Sequence, residues 1–310
     1  MTPRHPPLSP ARRALYALTL SCVALLGGCA GAPPAPPPVA AQAQPAYAGL
    51  EIVNATLYQQ TAAEYRALTR QIYDHAIAQL DVLLADPAQT AALEQQPPFA
   101  QKPPAVIVDI DETILDNAPF EARLVQSGQP FKQDDWGRWV FEAAAPPIPG
   151  AHEFVRACAA KGIRVFYLSN RKDSEAEATR RNLWRLQFPY SDSLSNFLFR
   201  PEQRDDPMST KGARRAAVAE EFRVLMLIGD NLGDFTEAFR GTLAQRAAAV
   251  DAHRERFGRT WFMLPNAMYG SWEDALTEFN RDLDDSTRHL RKKAHLDATG
   301  LGIEGQPMDQ

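Results

Sequence analysis

The stretch Val106-Ile107-Val108-Asp109-Ile110-Asp111-Glu112-Thr113-Ile114-Leu115-Asp116-Asn117 sets a short unbroken apolar run directly against two aspartates. A continuous run, rather than an alternating one, is what a strand buried on both faces needs, and such strands belong to parallel sheets covered by helices. The arrangement returns along the chain. Ala105–Val108 ends at Asp109, Ile163–Leu168 at Ser169 and Val224–Ile228 at Gly229-Asp230, while Phe197–Phe199 and Thr260–Leu264 are further runs. Helical stretches lie between them, over 151–162, 175–187 and 211–222. Strands alternating with helices predict an α/β fold with a mainly parallel sheet. In such sheets the ligand crevice lies outside the carboxyl ends of the strands, so Asp109, Ser169 and Asp230 are expected on one edge.

Around this core, expected over 101–270 with a small insertion near 116–150, the organisation reads outward. Residues 50–100 form a helical region. Apolar residues at Leu57, Tyr65, Leu68, Ile72, Ile77, Leu80 and Leu84, without glycine or proline, predict one helix over 51–85. Ser271 with Asp274 reads as a capping box opening a C-terminal helix over 271–295, and 296–310 is a tail.

Residues 1–28 read as a signal peptide, with Arg4, Arg12 and Arg13 before an uncharged, mostly apolar run from Ala14 to Gly28. That run has 15 residues, whereas a spanning helix needs about 20. It ends Leu26-Gly27-Gly28-Cys29, which is similar to a bacterial lipobox; the plainer reading is a signal peptide that happens to contain a cysteine. Residues 29–49 are a tether, rich in Ala and Pro, that runs extended rather than burying a core. The whole chain of 310 residues has 33 Lys+Arg against 38 Asp+Glu, and beyond residue 28 the balance is 30 against 38, a net −8. Such acidity excludes a broad basic face for a nucleic-acid polymer. The three cysteines, Cys22, Cys29 and Cys158, cannot build a disulfide framework.

Four constellations carry chemistry. Asp109 and Asp111, spaced i, i+2 after a strand, pair a group that can attack or bind metal with one that can handle a proton. Ser169 offers a hydroxyl at the next strand end. Lys211 stands near a helix start, where a cation is unfavourable unless an anion sits nearby. Asp230 and Asp234 supply hard oxygen donors of the kind Mg²⁺ prefers. Each alone has an ordinary reading as a turn, a cap or a solvated side chain. Cys158 reads as a small buried hydrophobe, and the histidines lack metal-ligand spacing.

In order, at spacings of 60, 42 and 19 residues from Asp109 to Ser169 to Lys211 to Asp230, these elements resemble the signature of the haloacid dehalogenase superfamily. With the lipobox and the strings VIVDIDETILDN, FYLSNRKD and LIGDNLGDF, the chain from about 50 to 295 resembles the class C acid phosphatase and 5′-nucleotidase family of bacterial surface lipoproteins (the lipoprotein e family). The resemblance implies a Rossmann-like sheet with a smaller helical accessory region. It implies Asp109 as nucleophile and Asp111 as acid and base. Mg²⁺ would be held by Asp109, the main-chain carbonyl of Asp111 and Asp230, with Asp234 behind them. Ser169 and Lys211 would bind the phosphoryl group. Asp135-Trp136-Gly137-Arg138-Trp139 and Pro265-Asn266-Ala267-Met268-Tyr269-Gly270 match family stretches that supply aromatic walls, so Trp136 and Tyr269 would face the base of a nucleotide. Arg171 and Asn117 are candidates to support these groups.

The expected partners are small phosphomonoesters, nucleotides among them, and a membrane reached through a lipid on Cys29, in the outer membrane of the cell envelope; a homodimer is left open. A dehalogenase would have no use for Asp111, because it has no alkoxide to protonate, and a non-catalytic surface lipoprotein on the same fold is the alternative of another class. If Cys29 carries the anchor, Cys29→Ser releases the protein into the soluble periplasmic fraction with activity retained. Retention in salt-washed membranes would mean a different anchor.

Overall fold

Five strands, β1 (Pro104–Val108), β2 (Arg164–Lys172), β3 (Phe197–Arg200), β4 (Arg223–Gly229) and β5 (Trp261–Met263), form one sheet in the order β3-β2-β1-β4-β5. Every pairing is parallel. The structure is a computed structural model that describes residues 50–203 and 205–298. The expected signal peptide, Cys29, the tether and most of the tail lie outside the described residues. All five apolar runs are strands. Helices follow as α1 (Val53–Thr61), α2 (Ala63–Ala85), α3 (Ala118–Ser127), α4 (Gln133–Glu142), α5 (Ala151–Ala160), α6 (Ala176–Arg185), α7 (Lys211–Glu221), α8 (Leu243–Ala252), α9 (Ser271–Leu276) and α10 (Asp285–Ala294). Helices α3 and α4 form the accessory region expected between β1 and β2.

The period of two in β1 explains the layers. Val106 and Val108 face one core, which holds Tyr73 and Leu80 of α2 and Phe154 and Val155 of α5. Ala105 and Ile107 face the other, with Val218 of α7, Phe235 and Trp261. Fully burying one such aliphatic or aromatic side chain contributes about 1.5–3 kcal/mol. In β4 the register against β1 shifts between Ala105 and Val106, and Leu225 is the extra residue.

Four expectations change. The helix over 51–85 breaks at Ala62, whose backbone is extended (φ −74°, ψ 127°). The two pieces have different partners: α1 packs on α3, with Gln59 Nε2 donating to Asp116 Oδ1 at 2.7 Å, and α2 packs on α5. The C-terminal helix over 271–295 is also two helices, because Glu278 and Phe279 adopt left-handed backbone (φ 53° and 59°), and Asp284 caps a new start by accepting from Thr287 N–H. Ser271 is not a cap. Gly270 holds that position, and the Ser271 hydroxyl donates to Asn231 Oδ1 at 2.5 Å. Finally, β2 runs past Leu168 to Lys172, so Ser169 lies within a strand rather than at its tip.

One close approach fixes the first loop of the site. Gly150 has φ +98°, and a Cβ there would stand 2.9 Å from Tyr73 Cβ. Tyr73 can therefore reach beneath the Asp109–Asp111 loop, where its hydroxyl donates to the Thr113 carbonyl at 2.7 Å.

Candidate active site

Asp109 leaves β1 still tied to the sheet, its N–H donating to the Ile228 carbonyl of β4 at 2.9 Å. The chain then turns sharply. The Ile110 carbonyl accepts from Ile114 N–H and Leu115 N–H, and Glu112 sits in left-handed backbone with φ 56°. Asp230 follows β4, where Thr113 Oγ1 and Asn266 Nδ2 donate to its two oxygens at 3.3 and 2.9 Å. Beyond it a short 3₁₀ turn, Leu232–Asp234, is closed by Asn231, whose side chain accepts from Gly233 N–H and whose N–H donates to Asp234 Oδ2. This folds Asp234 back over Gly229.

Carboxylate oxygens of Asp109, Asp230 and Asp234 lie within 4.8 Å of one another. Lys211, at the start of α7, donates from Nζ to Asp109 Oδ1 at 2.5 Å and to Asp234 Oδ1 at 2.6 Å. Burial disfavours the charge on Lys211, yet Asp109 and Asp234 outweigh it and hold the amine protonated. Burial pushes Asp109 well above the usual carboxylate range; Lys211 pulls it back, and Asp234, Asp230 and Asp111 add to the push. Burial and then Asp234 push Asp230 up to about 7, against Asn266 and Lys211. One ammonium does not balance the carboxylates that meet here. Hard oxygen donors in a cluster short of positive charge fit a divalent cation.

Asp111 turns its carboxylate away from this cluster. The buried Arg171 donates to Asp111 Oδ1 from Nη2 at 2.7 Å and from Nε at 3.0 Å. Asn117 Nδ2 donates to the same oxygen at 2.9 Å, and Trp139 Nε1 fixes Asn117 by donating to its Oδ1 at 2.8 Å. Ser169 is fully buried, with its hydroxyl 3.3 Å from Asp111 Oδ2 and accepting from Arg171 N–H.

Asp109, Asp111, Lys211, Asp230 and Asp234 line a cleft of about 890 Å³ that also takes in Trp136 and Tyr269. The cleft does not reach Ser169; its neighbour Asn170 lines it instead. Trp136 packs edge-on to Phe120 with centroids 5.2 Å apart, and the Arg171 guanidinium stands 5.4 Å over its ring. Trp139 is core, whereas Phe131 is exposed at the cleft. Cys158 is buried, and burial pushes its thiol up, as expected of an inert residue. In α10, the half-buried Lys292 pairs with Glu51 and Glu273.

The sequence reading passed over Arg214, Arg215 and Asn266 as functional side chains. Lys211, Arg214, Arg215 and Val218 share one face of α7 at i, i+3, i+4, i+7, and Arg214 and Arg215 are buried there. Basic residues at core spacing were the available signal.

The acid phosphatase family of the HAD superfamily, subfamily IIIB, matches residues 39–272. The class C acid phosphatase from Bacillus anthracis superposes with a TM-score of 0.72 at 31% identity, covering 81% of this chain and 98% of that one. The same holds for that enzyme's structure with tungstate bound. Acid phosphatase 1 of Solanum lycopersicum is 25% identical over 166 residues (53% of this chain, 57% of the relative), and the stem 31 kDa glycoprotein of Glycine max is 26% identical over 167 (53% and 58%). The chain thus spans somewhat over half the length of these curated relatives. A parallel sheet of this order with acidic groups at the ends of β1 and β4 defines a haloacid-dehalogenase-type protein. Within that superfamily, the chain belongs to the subfamily IIIB acid phosphatases.

Gly229 makes the cluster possible. A Cβ at this position would lie 2.1 Å from Asp234 Oδ2 and 2.4 Å from Asp234 Cβ. Gly229→Ala must therefore push Asp234 off Lys211 and Asn231. The expected outcome in a purified variant is a loss of phosphatase activity of roughly 10- to 100-fold, and unchanged turnover would show that the position of Asp234 does not matter.

Proposed function

We propose that this protein is a Mg²⁺-dependent phosphomonoesterase acting through an aspartyl-phosphate, with nucleoside 5′-monophosphates as substrates. The observation that carries this reading is Asp109 at the end of β1, bonded to Lys211 and clustered with Asp230 and Asp234. Family membership supports phosphate-ester hydrolysis.

The steps follow from the side chains. Asp109 attacks phosphorus; its bond to phosphorus forms as the ester P–O bond breaks. Asp111 gives a proton to the departing alkoxide, then takes one from the water that hydrolyses the acyl phosphate. Arg171 and Asn117 hold the Asp111 carboxylate in place in the cleft. Lys211, which neutralises Asp109 before substrate arrives, turns to the phosphoryl oxygens and offsets their charge, while Ser169, buried behind the cleft wall and not on it as the sequence suggested, supports Asp111 through its hydroxyl. Asp109, Asp230 and the main-chain carbonyl of Asp111 would hold Mg²⁺, with Asp234 beside them. The cation, when bound, supplies the positive charge that the cluster lacks.

Turnover of a chromogenic phosphate ester with Mg²⁺, and its loss in EDTA, tests the reading. Asp109→Asn is expected to lose at least about a thousandfold while still folding, because Asp234 continues to pair Lys211. Asp111→Asn is expected to lose roughly 10²–10⁴-fold on alkyl phosphates and less on nitrophenyl phosphate, whose leaving group needs little protonation. Equal losses on both esters would remove Asp111 from the role of acid.

Selectivity for nucleotides must come from groups beyond the phosphate. Trp136 and Tyr269 line the cleft from separate segments, one in α4 and one after β5. A base stacked on an aromatic ring gains about 1–3 kcal/mol. Replacing either by Ala is expected to lower kcat/KM for AMP relative to glycerol phosphate by about tenfold. Parallel losses on both substrates with a reduced melting temperature would make these rings structural. We further propose that the protein works in the cell envelope, held to the outer membrane through Cys29; the lipobox-like string supports this, and Cys29→Ser tests it.

A further inference from the structure

Among the described residues, four arginines keep a buried Nε without a hydrogen-bond partner: Arg164, Arg181, Arg200 and Arg223. Three of them are held by their other nitrogens. Arg164 Nη2 donates to Ser195 Oγ at 3.4 Å, Arg181 Nη2 to the Phe141 carbonyl at 2.9 Å, and Arg223 Nη1 to the Asp86 carbonyl at 2.6 Å. Arg200 has no such hold. Among the described residues, no hydrogen bond or ion pair reaches its guanidinium, and of the four it is the one that lines the cleft. A guanidinium carries five donors and cannot shed its proton, so leaving it half-buried without an acceptor is costly.

The surroundings of Arg200 call for an anion that the chain does not supply. Arg200 ends β3 at the carboxyl edge, in register with Lys172 of β2. The acids on that side are engaged elsewhere. Glu175 Oε2 accepts from Lys172 N–H, and Glu202 accepts from Ser174 Oγ and pairs with Lys172 at 3.6 Å. The field of Arg200 falls instead on the buried Arg214, a charge of like sign. Two other cations of the cleft differ in this respect, since Arg171 is held by Asp111, and Lys211 by Asp109 and Asp234.

Strand order says which part of a ligand Arg200 meets. β2 lies between β3 and β1, so Arg200 starts about two strand spacings, roughly 10 Å, from Asp109. Lys211 already stands at Asp109 to receive the reacting phosphate. We propose that Arg200 binds a second anionic group of the substrate, a carboxylate or a further phosphate several bonds away from the phosphate that reacts. Its planar fork suits the paired oxygens of either group. This inference rests on the phosphomonoesterase reading above, with Asp109 as the attacking group, and not on the nucleotide reading.

The test measures inhibition constants for 6-phosphogluconate and sorbitol 6-phosphate against nitrophenyl phosphate turnover by the full-length protein with Mg²⁺. The two are open-chain esters of the same length, ending in a carboxylate in one and an alcohol in the other. Wild-type protein is expected to bind 6-phosphogluconate roughly tenfold more tightly, as one charge-assisted hydrogen-bonded contact provides. Arg200→Gln removes that preference, and Arg200→Lys, which keeps the charge without the fork, retains part of it. Equal inhibition of the wild type by the two esters, or inhibition by neither, overturns the role of Arg200 and needs no variant to fold. Weakening of both esters by the same factor in Arg200→Gln also overturns it, since Arg200 would then serve the reacting phosphate or the fold. Absence of nitrophenyl phosphate turnover in the wild type overturns the phosphomonoesterase reading and this inference with it.

Discussion

Lys211 Nζ stands between Asp109 and Asp234, at 2.5 and 2.6 Å, and the loops at the carboxyl edge of the sheet are arranged around that one ammonium group. A buried charge is tolerated only when paired, and removing one partner of a buried pair typically costs about 3–5 kcal/mol. The arrangement therefore ties the start of α7 to the ends of both β1 and β4. The same helix face fastens the rest of the edge. Arg214 Nη1 donates to the carbonyls of Ser169 and Leu198, joining β2 to β3, and Arg215 Nη1 donates to those of Gly233 and Asp234. Burial lowers Arg214 to about 10, which leaves it charged at neutral pH. Three cations on one helix thus hold the ends of the strands that carry the clustered carboxylates.

The loop after β1 meets a second demand. Within nine residues it must offer Asp109 to one side and Asp111 to another, and it does so through left-handed backbone at Glu112 and support from Tyr73 below. Glu112 is buried, and burial pushes its carboxyl well up; its oxygen accepts from Asn117 N–H, which closes the loop. Non-glycine left-handed residues cost of order 1–3 kcal/mol and persist where the surroundings over-determine them.

The sheet was legible because burial on both faces writes itself as continuous apolar runs, and residues placed just after such runs have only one edge to occupy. Asp109 and Asp230 were readable for that reason. Helix ends were less so. Ala62 has no turn chemistry, and its break reflects two neighbours, α3 and α5, that lie far along the chain. Pairings across long intervals were less legible: Arg171 was readable as a supporting group, but its pairing with Asp111, 60 residues away, was not, and Asn266 reaches Asp230 across 36.

The division of labour between sheet and additions has a consequence for how this protein can vary. Asp109, Ser169 and Asp230 sit in or directly after three adjacent central strands, β1, β2 and β4, whose neighbours are packed on both faces. Trp136, Phe131, Glu121 and Tyr269 sit on α3, α4, the segment between them and the loop after edge strand β5. Under the proposed function, substitutions, insertions or exchange of those outer segments would alter which molecules are admitted without disturbing the strand ends. Descendants of this chain can therefore drift in diet while their chemistry stays under strict selection, and homologues should diverge fastest where the cleft is lined by helices and loops.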